Sequence, residues 1–289
     1  MISIIIPVFN SERTIKRCLE SILNQSYQDF EIVVVYKEGN DKTLDIIDSF
    51  HDSRIRVIYQ HDDSGPGGAR NIGIHSSIGE YLGFVESDDY IDKDFYNKLY
   101  HRIKNEGSDI AWGEIYLKSE NRMWTTHESN SVESDFFDKY SKVRNGASFD
   151  KLFSASLIKY HKIGFTEILR FEDNPFLLKA FYHSEKISLV KNAIYYYNPE
   201  LWSKDYREKL KRAVIPIAKE MVDFANLHYF SWREMKLLKK NIFKCFASSF
   251  IFEPDIYSSL SRIIGIPPLL RIRYFKRILK SIFHRKTNQ

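Results

Sequence analysis

Short apolar runs alternate with amphipathic stretches through the first 117 residues, and this alternation restricts the fold more than any other feature of the chain. Five runs have the length and the β-branched or aromatic composition of buried strands: SIIIPVF (3–9), FEIVVVY (30–36), IRVIYQ (55–60), YLGFVE (81–86) and DIAWGEIYL (109–117). Apolar residues recur at helical spacing between them. Strands that alternate with helices predict an α/β sheet with crossover helices.

The fourth run ends abruptly in acidic residues. In GEYLGFVESDDYID (79–92) the apolar residues give way to Glu86, Asp88 and Asp89. Clustered carboxylates repel each other unless a cation lies between them, and Mg²⁺ and Mn²⁺ prefer oxygen ligands. Because open α/β sheets bind ligands beyond the carboxyl ends of their strands, the cluster predicts a metal–diphosphate site. The alternative is that Asp88 or Asp89 caps the following helix.

A glycine-rich segment, GPGGARN (65–71), precedes this strand and is predicted to be a loop that opens a helix. Such a loop would let the backbone approach a ligand closely, and Arg70 adds a fixed cation. The segment matches neither GxxxxGK[ST] nor GxGxxG after a strand, so neither a P-loop nor a dinucleotide site is predicted. The alternative is a tight turn before a helix.

Cysteine content and hydropathy indicate the cellular setting. The two cysteines, Cys18 and Cys245, form no CxxC or Cys/His cluster, which predicts neither a zinc site nor a disulfide framework and favours a reduced, cytoplasmic protein. MISIIIPVFN lacks the basic region of a signal peptide. No run approaches the roughly 20 apolar residues of a spanning helix. We therefore expect a soluble or membrane-peripheral protein.

The C-terminal third has a different pattern. From about residue 205 it is helical without strands, which predicts an α/β domain over 1–204 and a helical extension over 205–289. After Asp255 there are eight Lys or Arg residues and no acidic residue. As a helix, 265–289 would carry an apolar stripe and a basic face, as an anionic membrane surface requires. The alternative is packing on the domain, and no recognised fold for binding nucleic acid is present.

Three segments in order resemble the family 2 glycosyltransferases with the GT-A fold: SIIIPVFNSERTIKRCLESILNQSYQDFEIVVV, GGARNIGI and GEYLGFVESDDYID. The resemblance continues through FEDNPF to YYYN and covers roughly residues 1–200. It implies a Rossmann-like mixed sheet flanked by helices. It also implies a nucleotide diphosphate sugar as donor, inversion at the transferred carbon, and Mn²⁺ or Mg²⁺ as cofactor.

Carried over by position, the resemblance implies a role for each matching residue. The donor-binding set is Pro7, Phe9, Asn10, Glu12, Tyr36, Lys37, Ala69, Arg70, Asn71, Glu86 and Ser87. Asp88 and Glu86 are the implied metal ligands. Asp173 takes the place of the general base, and the acceptor side is implied to hold Glu172, Trp112 and Gly113. Helix capping is the alternative for Glu172 and Asp173, and a core position is the alternative for Trp112.

Two positions depart from the family pattern. The second strand usually runs into two aspartates, but here Tyr36 and Lys37 are followed by Glu38. Tyr36 could stack on the base, and Lys37 could meet a phosphate or pair with Glu38, so the nucleotide stays open, with UDP the commonest. Glu86 is one methylene longer than aspartate, which predicts a weaker dependence on metal.

The predicted function is an inverting hexosyl- or N-acetylhexosaminyltransferase at the inner face of the cell membrane. A carboxylate accepts the proton of the acceptor hydroxyl, and the metal offsets charge on the departing diphosphate. The acceptor is predicted to be a glycan or lipid-linked oligosaccharide of a surface polysaccharide. One alternative is a degenerate domain that binds a glycan or a partner without turnover. Another is a nucleotidyltransferase, which would release pyrophosphate.

Overall fold

The structure is a computed structural model that describes residues 1–125, 127, 129–142, 146–168, 171–198, 204–250 and 254–265, with the backbone alone described for 204–211, 243–250 and 254–257. The chain divides into two compact units, Met1–Leu201 and Trp202–Gln289. Two parts of the sequence lie outside the described residues: the loop-like segment around Trp202, for which closure over a substrate or simple packing are both expectations, and the tail 266–289.

The described part of the first unit contains one sheet. Its strands are β1 (Ile2–Val8), β2 (Phe30–Lys37), β3 (Ile55–Gln60), β4 (Tyr81–Phe84), β5 (Tyr90–Ile91), β6 (Ile110–Leu117), β7 (Arg122–Thr125), β8 (Val132–Glu133), β9 (Lys151–Ser154) and β10 (Ile187–Tyr197). The helices of this unit are α1 (Ile15–Leu23), α2 (Thr43–Asp48), α3 (Gly65–Ser76), α4 (Phe95–Glu106), α5 (Phe136–Ser141), α6 (Ala155–Tyr160) and α7 (Asp173–His183).

The strand order is β3-β2-β1-β4-β9-β6-β10-β5, with β7 on β6 and β8 on β10. Strands β1 to β4 pair in parallel, whereas β9 is antiparallel to both of its neighbours. The predicted α/β class with a mixed sheet flanked by helices is confirmed. All seven residues of β1 are buried, because both faces of the sheet centre are covered and the strand must be apolar on both sides.

Helix α3 packs very closely on β1. A Cβ atom on Gly73 would lie 2.4 Å from Cγ2 of Ile5, so this position needs glycine for the helix to reach the sheet. Arg70, one turn earlier on the same helix, is thereby held at the carboxyl end of the parallel strands.

Two predictions of local structure were wrong. The apolar spacing of LFSASLIKYHKIGF (152–165) predicts a helix, but the segment starts within strand β9, and α6 begins only at Ala155. The polar and weakly periodic sequence of 120–150 predicts a loop or lid, but its described residues include β7, β8 and α5. Both errors concern strands of two to four residues, which are too short to show a period of two.

The second unit is helical in its described part. Its helices are α8 (Lys204–Leu227), α9 (Trp232–Phe250) and α10 (Pro254–Ile263), and Pro216 lies inside α8. Buried apolar side chains on α8 include Val214, Ile217 and Met221. Among the helices that the structure describes, none combines the length and the apolar composition needed to cross a bilayer.

Candidate functional site

The carboxyl ends of three parallel strands meet at one edge of the sheet. Val8 of β1 pairs with Tyr36 of β2, and Ile5 of β1 pairs with Phe84 of β4, so the loops that follow these strands are neighbours. A hydrogen bond of 2.7 Å between the hydroxyl oxygens of Ser11 and Ser87 links two of these loops. The acidic end of the fourth apolar run therefore lies beside the loops that follow β1 and β2.

Arg70 is the centre of a buried charge cluster at this edge. Its Nη2 atom donates to Oε1 of Glu86 at 2.5 Å, and its Nη1 atom donates to Oε1 of Glu172 at 2.8 Å. Its guanidinium lies 5.1 Å from the ring centroid of Phe165. Burial by itself would lower the pKa of Arg70, but the charges of Glu86, Asp173 and Glu172 raise it well above its usual range. We call Arg70, Glu86, Glu172 and Asp173 the Arg70 cluster.

Asp173, the predicted general base, is the first residue of α7 and is half-buried. Its Oδ1 atom is buried and makes no hydrogen bond of normal geometry within the described part of the chain, and the nearby Ser148 hydroxyl, which is also unpaired, lowers the pKa of this carboxyl only in part. Burial raises the pKa of Asp173 to about 7, the Arg70 guanidinium opposes that rise, and the charge of Glu172 adds to it. A carboxylate with a pKa close to the working pH is suited to accept a proton.

The capping alternative for Glu172 is wrong. Glu172 is the N-cap residue of α7, yet its side chain makes no capping hydrogen bond there and instead binds Arg70. The carboxylate is therefore held by a tertiary ion pair.

The loop 86–89 after β4 separates two roles among its aspartates. Asp89 is fully buried and accepts hydrogen bonds from the Tyr195 hydroxyl at 2.8 Å and the Asn198 N–H at 2.7 Å. Burial, together with the charge of Asp88, raises the pKa of Asp89 well above its usual range. Neither residue caps α4, whose N-cap is Asp94. Asp89 therefore shapes the loop, and the half-buried Asp88 stays the candidate ligand.

The predicted metal ligands suit a cation that a diphosphate helps to hold. Among the residues that the structure describes, no group of three or more His, Cys, Asp or Glu side chains could hold a metal by itself. Mg²⁺ is usually held by one or two carboxylates plus substrate phosphates, and Asp88 fits that pattern. Oε1 of Glu86 is bound to Arg70, so Oε2 is the oxygen of Glu86 that has no ion-pair partner competing with a metal. The role of Glu86 as a ligand stays a prediction.

The nucleotide side differs from the sequence prediction in two respects. Tyr36 is only 3% exposed and packs edge-on against Tyr59, so in this structure it cannot stack on a base. Lys37 forms its ion pair with Asp63 and not with Glu38. The exposed aromatic rings at this edge are Phe9, which lies 5.9 Å from Nζ of Lys37, and Tyr59. Sequence reasoning missed Tyr59, although an aromatic residue just before the end of β3 was a usable signal.

Other predicted donor residues shape the strand-end loops. Pro7 is buried within β1. Asn10 has a φ of 48° and its Oδ1 atom accepts from the Asn40 N–H at 3.1 Å. Oε2 of Glu12 accepts from the Lys42 N–H at 3.1 Å. These contacts tie the loop after β1 to the loop after β2, and a direct role in donor binding stays a prediction.

The glycine-rich segment belongs to the helix itself, because α3 already begins at Gly65. A Cβ atom on Gly67 would lie 2.3 Å from the Thr166 carbonyl oxygen, so this glycine lets the helix meet protein backbone rather than a ligand. Ala69 is buried, and Asn71 uses both amide atoms on the Phe165 backbone, at 2.9 and 2.7 Å. Donor contacts from Ala69 and Asn71 stay predictions.

The structure favours the core alternative for Trp112, and an acceptor contact from Trp112 or Gly113 stays a prediction. Trp112 is 1% exposed, and its Nε1 atom donates to Oδ2 of Asp150 at 2.9 Å. The ammonium of Lys151 lies 4.3 Å from the centroid of its ring. A Cβ atom on Gly113 would lie 2.7 Å from the Ala193 carbonyl oxygen. Both residues are core residues, and we call Trp112, Asp150 and Lys151 the Lys151 cluster.

Comparison with known proteins agrees with this architecture. The sequence profile of a family described as "Glycosyl transferase family 2" matches residues 3–171. A poly(ribitol-phosphate) beta-glucosyltransferase from Bacillus spizizenii is 36% identical over 203 residues, which cover 68% of this chain and 32% of that protein. The chain thus spans about a third of that relative's length.

Two solved structures show the same fold. TarS residues 1–349 from S. aureus, in complex with UDP-GlcNAc, superposes with a TM-score of 0.66 at 20% identity, covering 98% of this chain and 91% of that one. A mannosyltransferase from Pyrobaculum calidifontis, in complex with GDP-Man and Mn²⁺, superposes with a TM-score of 0.61 at 14% identity, covering 98% and 80%. At these identities the likeness concerns the fold alone.

Proposed function

The chain belongs to glycosyl transferase family 2 and has the GT-A fold, and from this we propose that it moves a sugar from a nucleotide diphosphate sugar to a hydroxyl of a surface glycan or lipid-linked oligosaccharide. A UDP-sugar is the first choice of donor, because a structural neighbour binds UDP-GlcNAc. A hexosyl or N-acetylhexosaminyl group is the transferred sugar. The polysaccharide setting rests on the relative that glucosylates poly(ribitol phosphate).

The observation that carries the proposal is the placement of Asp173 beside the strand-end acids. A carboxylate with a raised pKa and an oxygen without a partner in the described residues lies in the same charge cluster as Glu86. Two carboxylates of different character, one paired and one not, suit a site that both holds a donor and accepts a proton.

The reaction that fits these residues is a direct displacement. The acceptor hydroxyl attacks the anomeric carbon of the donor and passes its proton to Asp173. The bond between that carbon and the diphosphate oxygen breaks with its electron pair on the diphosphate. One displacement inverts the carbon, and no covalent intermediate is needed.

Binding of the donor is assigned to the edge formed by β1, β2 and β4. The exposed rings of Phe9 and Tyr59 offer flat apolar surfaces to a base. Asp88 would hold Mn²⁺ or Mg²⁺, which when bound offsets the charge that develops on the departing diphosphate. A structural neighbour binds Mn²⁺ together with its nucleotide sugar.

A donor-hydrolysis screen tests the proposal. The full chain is incubated with UDP-, GDP-, CDP- and dTDP-sugars, each with Mn²⁺, with Mg²⁺ and with chelator. We expect one donor to be hydrolysed, and this hydrolysis to be lost in Asp88→Ala and retained in the control Asp29→Asn, whose carboxylate is exposed and remote from these loops. Hydrolysis that survives chelation would support the transferase activity and exclude a requirement for the metal.

Two outcomes would replace the proposal. Nucleotide binding without turnover, with every acceptor tried, would indicate a degenerate binding domain. Release of pyrophosphate from a nucleoside triphosphate would indicate a nucleotidyltransferase.

A peripheral position at the inner face of the membrane, through the basic tail 265–289, remains part of the proposal. It is supported by the eight basic residues after Asp255. Deletion of residues 265–289 should leave donor hydrolysis intact and weaken binding to anionic liposomes, and undiminished binding would contradict it.

A further inference from the structure

The turn between α8 and α9 presents three large apolar side chains to solvent. Leu227 is 72% exposed, Tyr229 is 92% exposed and Trp232 is 75% exposed. Elsewhere in the described chain no three large exposed apolar side chains lie within six residues of one another. Single exposed apolar residues are normal, but three within six residues form a patch, and such patches mark interaction sites.

The backbone of this turn is internally closed. Tyr229 has a φ of 53°, its N–H donates to the Asn226 carbonyl at 3.2 Å, and the Phe230 N–H donates to the Ala225 carbonyl at 3.0 Å. A left-handed residue that closes a helix in this way fixes the direction of the chain. The exposure of Tyr229 is therefore built into the fold of the turn.

Glu234, the acidic residue in the first turn of α9, takes part in the N-terminal capping of that helix. Glu234 accepts from the Ser231 N–H at 2.6 Å, and the Glu234 N–H donates to Oγ of Ser231 at 3.4 Å, which is a capping box. Glu234 is the only acidic residue between 228 and 242. Its carboxylate is held at the positive end of the helix, where it does not oppose the basic residues that follow.

The exposed face of α9 is basic and continuous with the patch. Lys236 and Lys240 follow Trp232 at intervals of four residues, and all three are exposed. Leu237 and Leu238 form the opposite, buried face. Nζ of Lys236 lies 4.8 Å from the centroid of the Trp232 ring, so the apolar and cationic groups form one surface.

We propose that this surface, formed by Leu227, Tyr229, Trp232, Lys236 and Lys240 and here called the α8–α9 surface, docks onto an anionic lipid bilayer. Aromatic rings with a polar edge prefer the level of the lipid headgroups. Lysines gain free energy beside anionic headgroups. A polyanionic glycan or a nucleic acid would also attract the lysines, but it would offer nothing to Leu227, whereas a bilayer does.

Acidic groups on α8 set the limit of this surface. Asp223 precedes Leu227 by one helical turn, and Glu220 by about two. The surface therefore covers the tip of the helix pair and the exposed face of α9, and it does not continue back along α8. It lies within the described residues and is independent of the tail 266–289 and of the transfer reaction.

Vesicle binding by the full chain tests the proposal. The vesicles contain phosphatidylcholine alone, or phosphatidylcholine and phosphatidylglycerol in equal parts. Loss of each lysine should weaken binding to the anionic vesicles about fivefold, so Lys236→Gln with Lys240→Gln should weaken it about 25-fold at low salt. Tyr229→Ser with Trp232→Ser should weaken binding to a similar degree, and the weakening should persist at high salt, where charges are screened.

Matched controls separate this surface from general effects and from the tail. Ile78→Ser with Tyr160→Ser removes two exposed apolar side chains from the first unit and should leave binding unchanged. Ile272→Ser with Phe275→Ser should weaken vesicle binding only through the tail. When the α8–α9 substitutions are added to this tail variant, its affinity for anionic vesicles should fall further. Donor hydrolysis in solution should stay at the wild-type level in every variant, which verifies folding.

A spectroscopic measurement locates the contact. Lipids brominated in the upper acyl chain should quench tryptophan fluorescence of the wild type, and Trp232→Phe should remove that quenching. Vesicle binding that is unchanged in both α8–α9 pairs would overturn the proposal. A second result would also overturn it: the variant Tyr229→Ser with Trp232→Ser changes the oligomer mass but not vesicle binding. The surface would then contact a second copy of the chain.

Discussion

The two buried charge clusters of the first unit are built from similar groups but satisfy them differently. In the Lys151 cluster, Nζ of Lys151 donates to Oδ1 of Asp150 at 2.5 Å and to the Ala147 carbonyl at 2.7 Å, and the indole of Trp112 binds the second oxygen of Asp150. In the Arg70 cluster, Nε of Arg70 and Oδ1 of Asp173 have no partner among the described residues.

This difference separates a structural cluster from a functional one. A buried charge is tolerated when hydrogen bonds and an opposite charge replace its water, and the Lys151 cluster meets that condition. Buried polar atoms without partners are rare in folded proteins and require a reason. In the Arg70 cluster the reason is the proposed chemistry, because burial keeps the pKa of Asp173 at about 7, as a general base that works near neutral pH requires.

Replacing the base should have the largest effect. Asp173→Asn should lower sugar transfer by about 10²- to 10⁴-fold, because the amide cannot accept the proton. The free energy of unfolding should not fall, since a neutral side chain avoids the cost of burying a charge. Transfer assays and urea unfolding measure the two quantities. Wild-type transfer in this variant would place the base elsewhere.

Breaking the Lys151 cluster should reduce stability more than chemistry, since Lys151 is bound to Asp150 and interacts with Asp173 only through its charge. Lys151→Met leaves Asp150 buried without its ion-pair partner and should lower the free energy of unfolding by about 3–5 kcal/mol. Urea unfolding measures the loss, with the exposed Lys16→Met as the control. Adding Asp150→Asn should recover part of the loss. A Lys151→Met protein as stable as the control would show that the pair is not needed.

The pH dependence should report on the Arg70 cluster. Because the pKa of Asp173 is raised from 3.8 to about 7, transfer should increase as the pH rises through about 7. Arg70→Gln removes the cation that lowers this pKa, so the rise should move to higher pH by about one to three units. The pH–rate profile of each protein measures the shift, and an unchanged profile would exclude Asp173 as the titrating group.

The same pKa predicts the sign of a stability effect. The folded protein binds the Asp173 proton more tightly than the unfolded chain does, so its contribution to stability is complete below pH 3.8 and is lost as the pH rises to about 7. In Asp173→Asn the free energy of unfolding should no longer fall across this pH range. Unfolding of both proteins across that range provides the check.

The smallest effect is expected at Trp112. Trp112→Phe leaves Oδ2 of Asp150 without its donor and should lower the free energy of unfolding by about 1–3 kcal/mol. The KM for the acceptor should not change, because the side chain is buried. A changed KM with normal stability would restore Trp112 to the acceptor site and weaken the distinction between the two clusters.

The elements that could be predicted from sequence are those with a local signal. The apolar runs that became β1, β2, β3, β4 and β6 are long and β-branched, and their strand character depends on little beyond their own residues. Strand β10 was missed because the pair Lys191–Asn192 interrupts its apolar pattern at a register shift, where Asn192 has a φ of 61°. A bulge of that kind is specified by the neighbouring strand.

The sequence by itself determined the class of the fold, the edge at which the parallel strands end, and the acidic residues that lie there. Only the tertiary structure decided which charges meet. Arg70 pairs with Glu86, 16 residues away, and with Glu172, 102 residues away. It also decided that Tyr36 and Trp112 are buried while Phe9 and Tyr59 are exposed. Helical and strand periods arise from contacts between near neighbours in the chain, whereas ion pairing and burial depend on groups that only the folded sheet brings together.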